Sequence, residues 1–323
     1  MRFGVLLNAG AVLGATPADV FDLTARQAEL AEDLGYDDLW VTEHHFIRFG
    51  INPSSLTTAA FLLGRTRTIR VGTSVVLSPL CHPVELAERA ALLDQLSGGR
   101  FELGLGRGGY RKDYERLDID FTRWDDEPHG TAERLLDLWA SDTDLQPPPR
   151  TGPHPPISLA TSSDAGVKCA ATNGLALQHY FATPAAARVA LEQRYQQAAG
   201  DTQVDHLHTV IALVDEAPDA RDRLAAALSN SFREGNHPHV PQAPERHLGP
   251  DGTPLDPDAM AQMVAGQAII GSVGRVVDEL ADFLLHTGAR RVAVYHEASG
   301  DPERTVRSLR DFADHVIPQF AQW

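Results

Sequence analysis

Short runs of β-branched and aliphatic residues alternate along this chain with stretches whose apolar positions recur at helical spacing. The first run, residues 2–8, predicts a strand. Pro17 behind Thr16 then opens a helix in which Val20, Leu23, Ala28, Leu30, Ala31 and Leu34 line one side until Gly35 stops it. The same reading predicts strands at 38–42, 69–77, 101–105, 157–160, 175–179, 206–214 and 291–295. Helices are predicted at 54–64, 83–96, 131–139, 165–173, 185–199, 219–232, 273–285 and 303–320, with a charged connection between the fourth strand and its helix. Eight such units specify a parallel sheet covered by helices. An open doubly wound sheet would share the pattern, but no terminal block interrupts it, and reactive residue types gather just after strand ends. The expected fold is therefore an α/β (β/α)₈ TIM barrel, one domain over 1–323, with its site at the C-terminal rim of the strands.

Two segments qualify that picture. The Pro-rich stretch 147–156 leads straight into another strand and reads as a loop, not a linker. Residues 233–265 have weak periodicity with scattered Gly, His and Pro, and are expected to form an insertion that serves as a lid. The apolar start imitates a secretory signal, but Asn8 and Gly10 interrupt it, so a buried first strand is expected.

Composition narrows the classes. A chain of 323 residues, 43% hydrophobic and 22% charged, is long enough for a barrel with one insertion and excludes disorder and fibrous repeats. A formal charge of -16 disfavours nucleic acid as a partner, and no apolar run reaches membrane-spanning length. Cys81 and Cys169 lie far apart and outside any ligand cluster, so a disulfide or zinc site is not expected and a reducing cytoplasm is.

Candidate chemistry follows the strands. Gly104–Gly109 matches GxGxxG after a strand, which raises a dinucleotide-binding turn. The residues that follow are charged throughout and three βα units already precede it, so a close-approach loop in which Arg107 grips a phosphate fits better, with a plain barrel turn as the other reading. Glu43-His44-His45-Phe46 follows the second strand. Two adjacent histidines face different ways, so one can enter the pocket as acid, base or hydrogen-bond donor while the other holds the loop; without HExxH or an evident third ligand, no metal is expected there. Cys81-His82-Pro83 reads as a small buried thiol at a helix entrance. Thr161-Ser162-Ser163-Asp164 is a capping segment whose hydroxyls and amides also suit an anion.

Taken in order, Glu43-His44-His45-Phe46 with Phe49-Gly50, Asn52-Pro53, Leu62-Leu63-Gly64, Val71-Gly72-Thr73, His82-Pro83, Leu93-Asp94-Gln95, Gly99-Arg100-Phe101 and Arg107-Gly108 with Tyr110 and Lys112-Asp113 resemble the bacterial luciferase-like flavin monooxygenases, the luciferase α subunit above all. The motif match covers about residues 1 to 120; beyond 151 the similarity is architectural. The resemblance implies a TIM barrel that takes reduced FMN (FMNH₂) from a separate flavin reductase and uses O₂, through a C4a-peroxyflavin, to oxygenate an apolar organic substrate. It assigns His44 to catalysis and Arg107, Gly106, Gly108, Ser162 and Ser163 to cofactor binding. Gly106 stands where luciferase α subunits carry a reactive cysteine, and more room is expected there. Arg123 is a doubtful counterpart of a second phosphate arginine, and Ser162 replaces an acidic residue of the fifth loop, so light emission is not transferred. The same fold also admits an F420-dependent oxidoreductase or a non-catalytic flavin-binding partner subunit. A homodimer is expected, packed through the Ala59, Ala60, Leu63 and Ala87, Ala90, Ala91 faces.

Overall fold

Alternation along each strand decides which side chains fill the inside of a ring and which meet the helices around it. The computed structural model describes residues 1–10, 15–47, 50–234 and 256–323. Its strands are β1 (Arg2–Leu7), β2 (Asp38–Val41), β3 (Arg70–Thr73), β4 (Val76–Leu77), β5 (Phe101–Gly106), β6 (Ile157–Ala160), β7 (Ala176–His179), β8 (Leu207–Val210), β9 (Ala212–Val214), β10 (Ile269–Gly271) and β11 (Arg291–Val294). Parallel pairing runs β3-β2-β1-β11-β8-β7-β6-β5, and β5 returns to β3, which closes an eight-stranded barrel. Each of the eight barrel strands matches one expected from the sequence.

The helices are α1 (Pro17–Asp33), α2 (Ser55–Arg65), α3 (Pro83–Ser97), α4 (Arg111–Leu117), α5 (Glu127–Ser141), α6 (Asp164–Thr172), α7 (Ala185–Ala199), α8 (Ala220–Glu234), α9 (Pro257–Gln267), α10 (Val273–Thr287) and α11 (Pro302–Asp311). Their ends carry the expected chemistry. Thr16 and Asp19 form a capping box before α1, and Gly98, with φ +69°, ends α3 in the left-handed region. Outward residues such as Val5, Leu39, Val71, Leu103, Leu159 and Val292 make the main core against these helices.

Several expectations need correction. The third strand is not continuous to 77: the ladder stops at Thr73, whose carbonyl is taken by the Gln178 side chain, and the chain passes a cis peptide at Ser74–Val75 before β4. The seventh also divides, β9 leaving the barrel to pair with β10 in a separate two-stranded sheet. The charged connection contains α4, which turns Asp113 and Tyr114 inwards. Part of the expected insertion is helix α9, capped by Asp256; residues 235–255, and with them the lid, lie outside the described residues. The last helix gives way after Asp311 to a wide turn at 312–316 and a 3₁₀ turn around Pro318, which cannot donate to a helical ladder. On α2 and α3, Ala59, Leu63, Ala87, Ala90 and Ala91 pack into the chain's own core; the outward side presents Ala60 with Phe61, Leu92 and Leu96.

Inside the ring, the Arg291 guanidinium reaches Asp38 at 2.8 Å and Glu102 at 2.9 Å and lies 4.5 Å from the centre of the Trp40 ring. The Trp40 indole donates to Asp38 at 2.6 Å. Glycine makes room for this plug: a Cβ at Gly4 would stand 1.9 Å from Asp38 Oδ1, and one at Gly72 would stand 2.4 Å from the Trp40 ring. Removing one member of such a buried set leaves the others charged and unpaired. Arg291→Ala is expected to lower unfolding stability by about 3–5 kcal/mol, whereas Arg89→Ala, at an exposed helix pair, changes it by less than about 1 kcal/mol; urea denaturation of the two variants checks the contrast.

Candidate active site

The segment after β2 is held by Glu43 and Asn52. Glu43 accepts from the Ser55 amide and hydroxyl at 2.8 and 2.7 Å and from the Leu77 amide at 3.0 Å, tying the strand end to α2 and β4. Asn52 donates to the Thr42 carbonyl at 2.7 Å and accepts the His44 amide on its own carbonyl at 2.8 Å. His44 is thereby fixed at the rim. Gly50 closes over it: a Cβ there would stand 2.6 Å from His44 Nδ1 and 2.9 Å from the Asn8 carbonyl, so only glycine permits the approach. Phe49 lies outside the described residues.

His44 is partly open to the rim, yet protein atoms crowd its ring. Burial, with His45 adding to it, brings its pKa down to about 4, so the imidazole is neutral near pH 7. His45 points elsewhere and faces the ring of Phe46, which is exposed and adopts φ +57°.

Arg107 follows β5. Its guanidinium lies over the ring of Trp124, 4.3 Å from the centroid, and Trp124 is itself buried against Tyr114 and Phe121. This aromatic platform, built from α4 and the turn at 121–126, sets where the charge is presented. Arg123 does not join it there; its guanidinium donates to the Cys81 carbonyl at 2.9 Å. The Cys81 thiol is pushed up to about 12, chiefly by burial, which fits a packed thiol and not a nucleophile. Asp113, on α4, is also buried, and that burial raises its pKa to about 7.

The extra room expected at Gly106 is absent. A Cβ there would meet Val75 Cγ2 at 2.3 Å, because the chain after Thr73 turns the Val75 side chain into that space. Leu77 covers Gly108 in the same way, 3.3 Å from where its Cβ would be. Gly108, with φ +82°, needs to be glycine on conformational grounds as well. The fifth loop behaves as the cap it resembles: the Ser163 hydroxyl accepts the Gly166 amide at 3.1 Å, while Ser162 is exposed.

Because β2, β3, β5 and β6 are neighbours in the ring, His44, the Val75–Leu77 segment, Gly106–Gly108 with Arg107, and Ser162–Ser163 occupy one continuous arc of the C-terminal rim. Sequence reasoning missed Trp124 and the clamping role of Glu43. Trp124 had no signal in spacing, since it reaches Arg107 only through the fold of α4.

Residues 1–291 match the profile of the luciferase-like monooxygenases. The chain belongs to that family. Among relatives, this luciferase-like protein is 37% identical over 139 residues to the alkanal monooxygenase alpha chain of Photorhabdus luminescens, a match covering 43% of this chain and 36% of that one. It is 29% identical to the 4-hydroxyprotoasukamycin monooxygenase of Streptomyces nodosus subsp. asukaensis, over 99% of this chain and 92% of that one. The crystal structure of the monooxygenase RslO1 from Streptomyces bottropensis superposes with a TM-score of 0.81 at 24% identity, covering 99% of this chain and 100% of the other. Solved structures sharing the fold include one in complex with FMN and one with an F420–acetone adduct. The luciferase-like chain is thus an oxidoreductase of the monooxygenase family on a TIM barrel.

Two outcomes follow from this geometry. Trp124→Ala removes the platform under Arg107 and is expected to weaken phosphate-bearing flavin binding by about 3- to 30-fold while the barrel stays folded, as read by fluorescence titration. The second concerns pH. The His44 ring protonates at 6.5 in the unfolded chain and about 4 in the folded one, so between those values the unfolded state binds more protons and stability falls as pH falls. Asp113, raised from 3.8 to about 7, acts with the opposite sign over its own window. Replacing His44 by Asn should therefore flatten the fall in Tm between pH 6.5 and 4, and an unchanged slope would contradict it.

Proposed function

We propose that the protein is the oxygenase component of a two-component system, taking reduced FMN from a separate flavin reductase and using O₂ to oxygenate a small apolar organic substrate. The arrangement that carries this reading is the pairing, on one arc of the rim, of a neutral histidine with an arginine seated on a buried tryptophan.

The residues present suit FMN. Arg107 offers a guanidinium for the phosphate, and the start of α6 at Ser163 adds amide donors with the favourable end of a helix dipole. Bound reduced flavin would supply the two electrons that activate O₂, one oxygen atom passing to substrate and the other leaving as water. His44, neutral and held by Asn52 and Gly50, is placed to accept or return a proton at one ring nitrogen. Val75 and Leu77 line the mouth with apolar surface, which helps to keep water from the reacting atoms.

The test separates the two roles. His44→Ala is expected to bind reduced FMN nearly as the parent does but to lose about 10²- to 10⁴-fold in substrate oxygenation. Arg107→Ala is expected to lose binding first, by about 1.5–3 kcal/mol. Equal loss of binding in both variants would contradict this division. Preferential binding of F420 over FMN would transfer the site to hydride chemistry, and tight flavin binding without turnover of any apolar substrate would mark a non-catalytic partner subunit.

We also propose a homodimer, packed through the outer faces of α2 and α3. Phe61 on α2 is 51% exposed, and Leu96 on α3 74% with Leu92 also exposed, apolar surface that a second copy would cover. Light scattering at micromolar concentration should report a dimer, and Leu96→Glu should shift it to monomer.

A further inference from the structure

Outside the rim, on the layer between barrel and helices, α7 packs against the sheet with an unusually polar face: Arg188, Leu191, Glu192 and Tyr195 turn towards β7 and β8. Two outward histidines meet it there. His179 and His208 are register partners on adjacent strands, so their rings emerge side by side, with centroids 4.5 Å apart. Both Nε2 atoms converge on the same carboxylate oxygen, Glu192 Oε1, at 2.9 and 3.0 Å. All three donor atoms lie within 4.8 Å of one another.

A hydrogen-bonded triad does not account for this cluster. The His179 ring N–H is not directed at Oε1, and neither His179 Nε2 nor Glu192 Oε1 has a hydrogen-bonding partner among the described residues. His179 is 1% exposed in its side chain and buried polar atoms normally find partners. The third nearby histidine is spoken for: His206 Nδ1 accepts the Leu177 amide at 3.0 Å.

We propose that His179, His208 and Glu192 form a divalent transition-metal site, zinc by its donor set, that clamps α7 to strands β7 and β8. Two imidazoles and one carboxylate suit zinc, and a water completes the shell from the side where Glu192 is 20% exposed. Arg188 hydrogen-bonds to the carbonyls of Tyr180, Thr183 and Thr209 and adds positive charge nearby. The sequence carries no sign of it, because the three ligands come from two strands and the intervening helix at spacings no metal motif uses.

Zinc binding is independent of the flavin chemistry, and so is its test. The full-length protein is stripped with a chelator, re-equilibrated with zinc chloride and desalted, and its metal content is read by mass spectrometry beside Tm. Retention of about one zinc per chain with a zinc-dependent rise in Tm is expected. Glu192→Gln, nearly isosteric, and His208→Ala should lose at least about tenfold in affinity and the Tm response with it, while His44→Ala at the rim keeps both. A parent protein that retains no zinc and shows no Tm response overturns the proposal whatever the variants do. Undiminished binding in folded Glu192→Gln and His208→Ala overturns it as well, since the metal would then sit elsewhere.

Discussion

The Arg291 guanidinium, buried between Asp38 and Glu102 on top of Trp40, is the interaction on which the rest of the barrel depends. It joins three strands that are distant in sequence, β11, β2 and β5, across the inside of the ring. Two of them, β2 and β5, deliver His44 and Arg107 to the rim. A parallel strand shifted by one residue would turn its inner face outwards, so a network that fixes register deep in the barrel also fixes which side chains reach its mouth. The glycines at 4 and 72 belong to the same constraint, since any side chain there would collide with Asp38 or Trp40.

Above that plug, a second set of contacts translates register into site geometry. Gln178 draws the Thr73 carbonyl at 3.0 Å, which ends the β3 ladder and lets the following residues swing Val75 over Gly106. Glu43 then binds the restart of that strand at Leu77 to the histidine loop. His44, Val75 and Arg107 therefore do not take up their positions independently. A change in any of the connecting groups would move more than one of them.

Much of this is legible in the sequence alone. The eight strands are, because Val, Ile and Leu alternate or run together within each and turn residues bound them; so is the rim placement of His44 and Arg107, since both directly follow a strand. What is not legible depends on partners distant in sequence. The break at Thr73 is decided by Gln178, and a β-branched run such as 69–77 carries no mark of it. Gly106 looked like added space because the sequence does not show that Val75 fills it. The alanines of α2 and α3 looked like a packing face, as they are, but the face packs on the chain itself. Helix α4 was hidden by its charges, only Asp113 and Tyr114 turning inwards.

The role proposed for this rim is to bind reduced FMN and to control its reaction with oxygen. Reduced FMN bound to the protein without air, then mixed rapidly with oxygenated buffer, tests that role through the visible absorbance of the flavin. The prediction is that oxidised flavin returns markedly more slowly than from free reduced FMN, and that an accepted apolar substrate changes the rate. Return at the rate of free flavin, or no binding of reduced FMN at all, would contradict it.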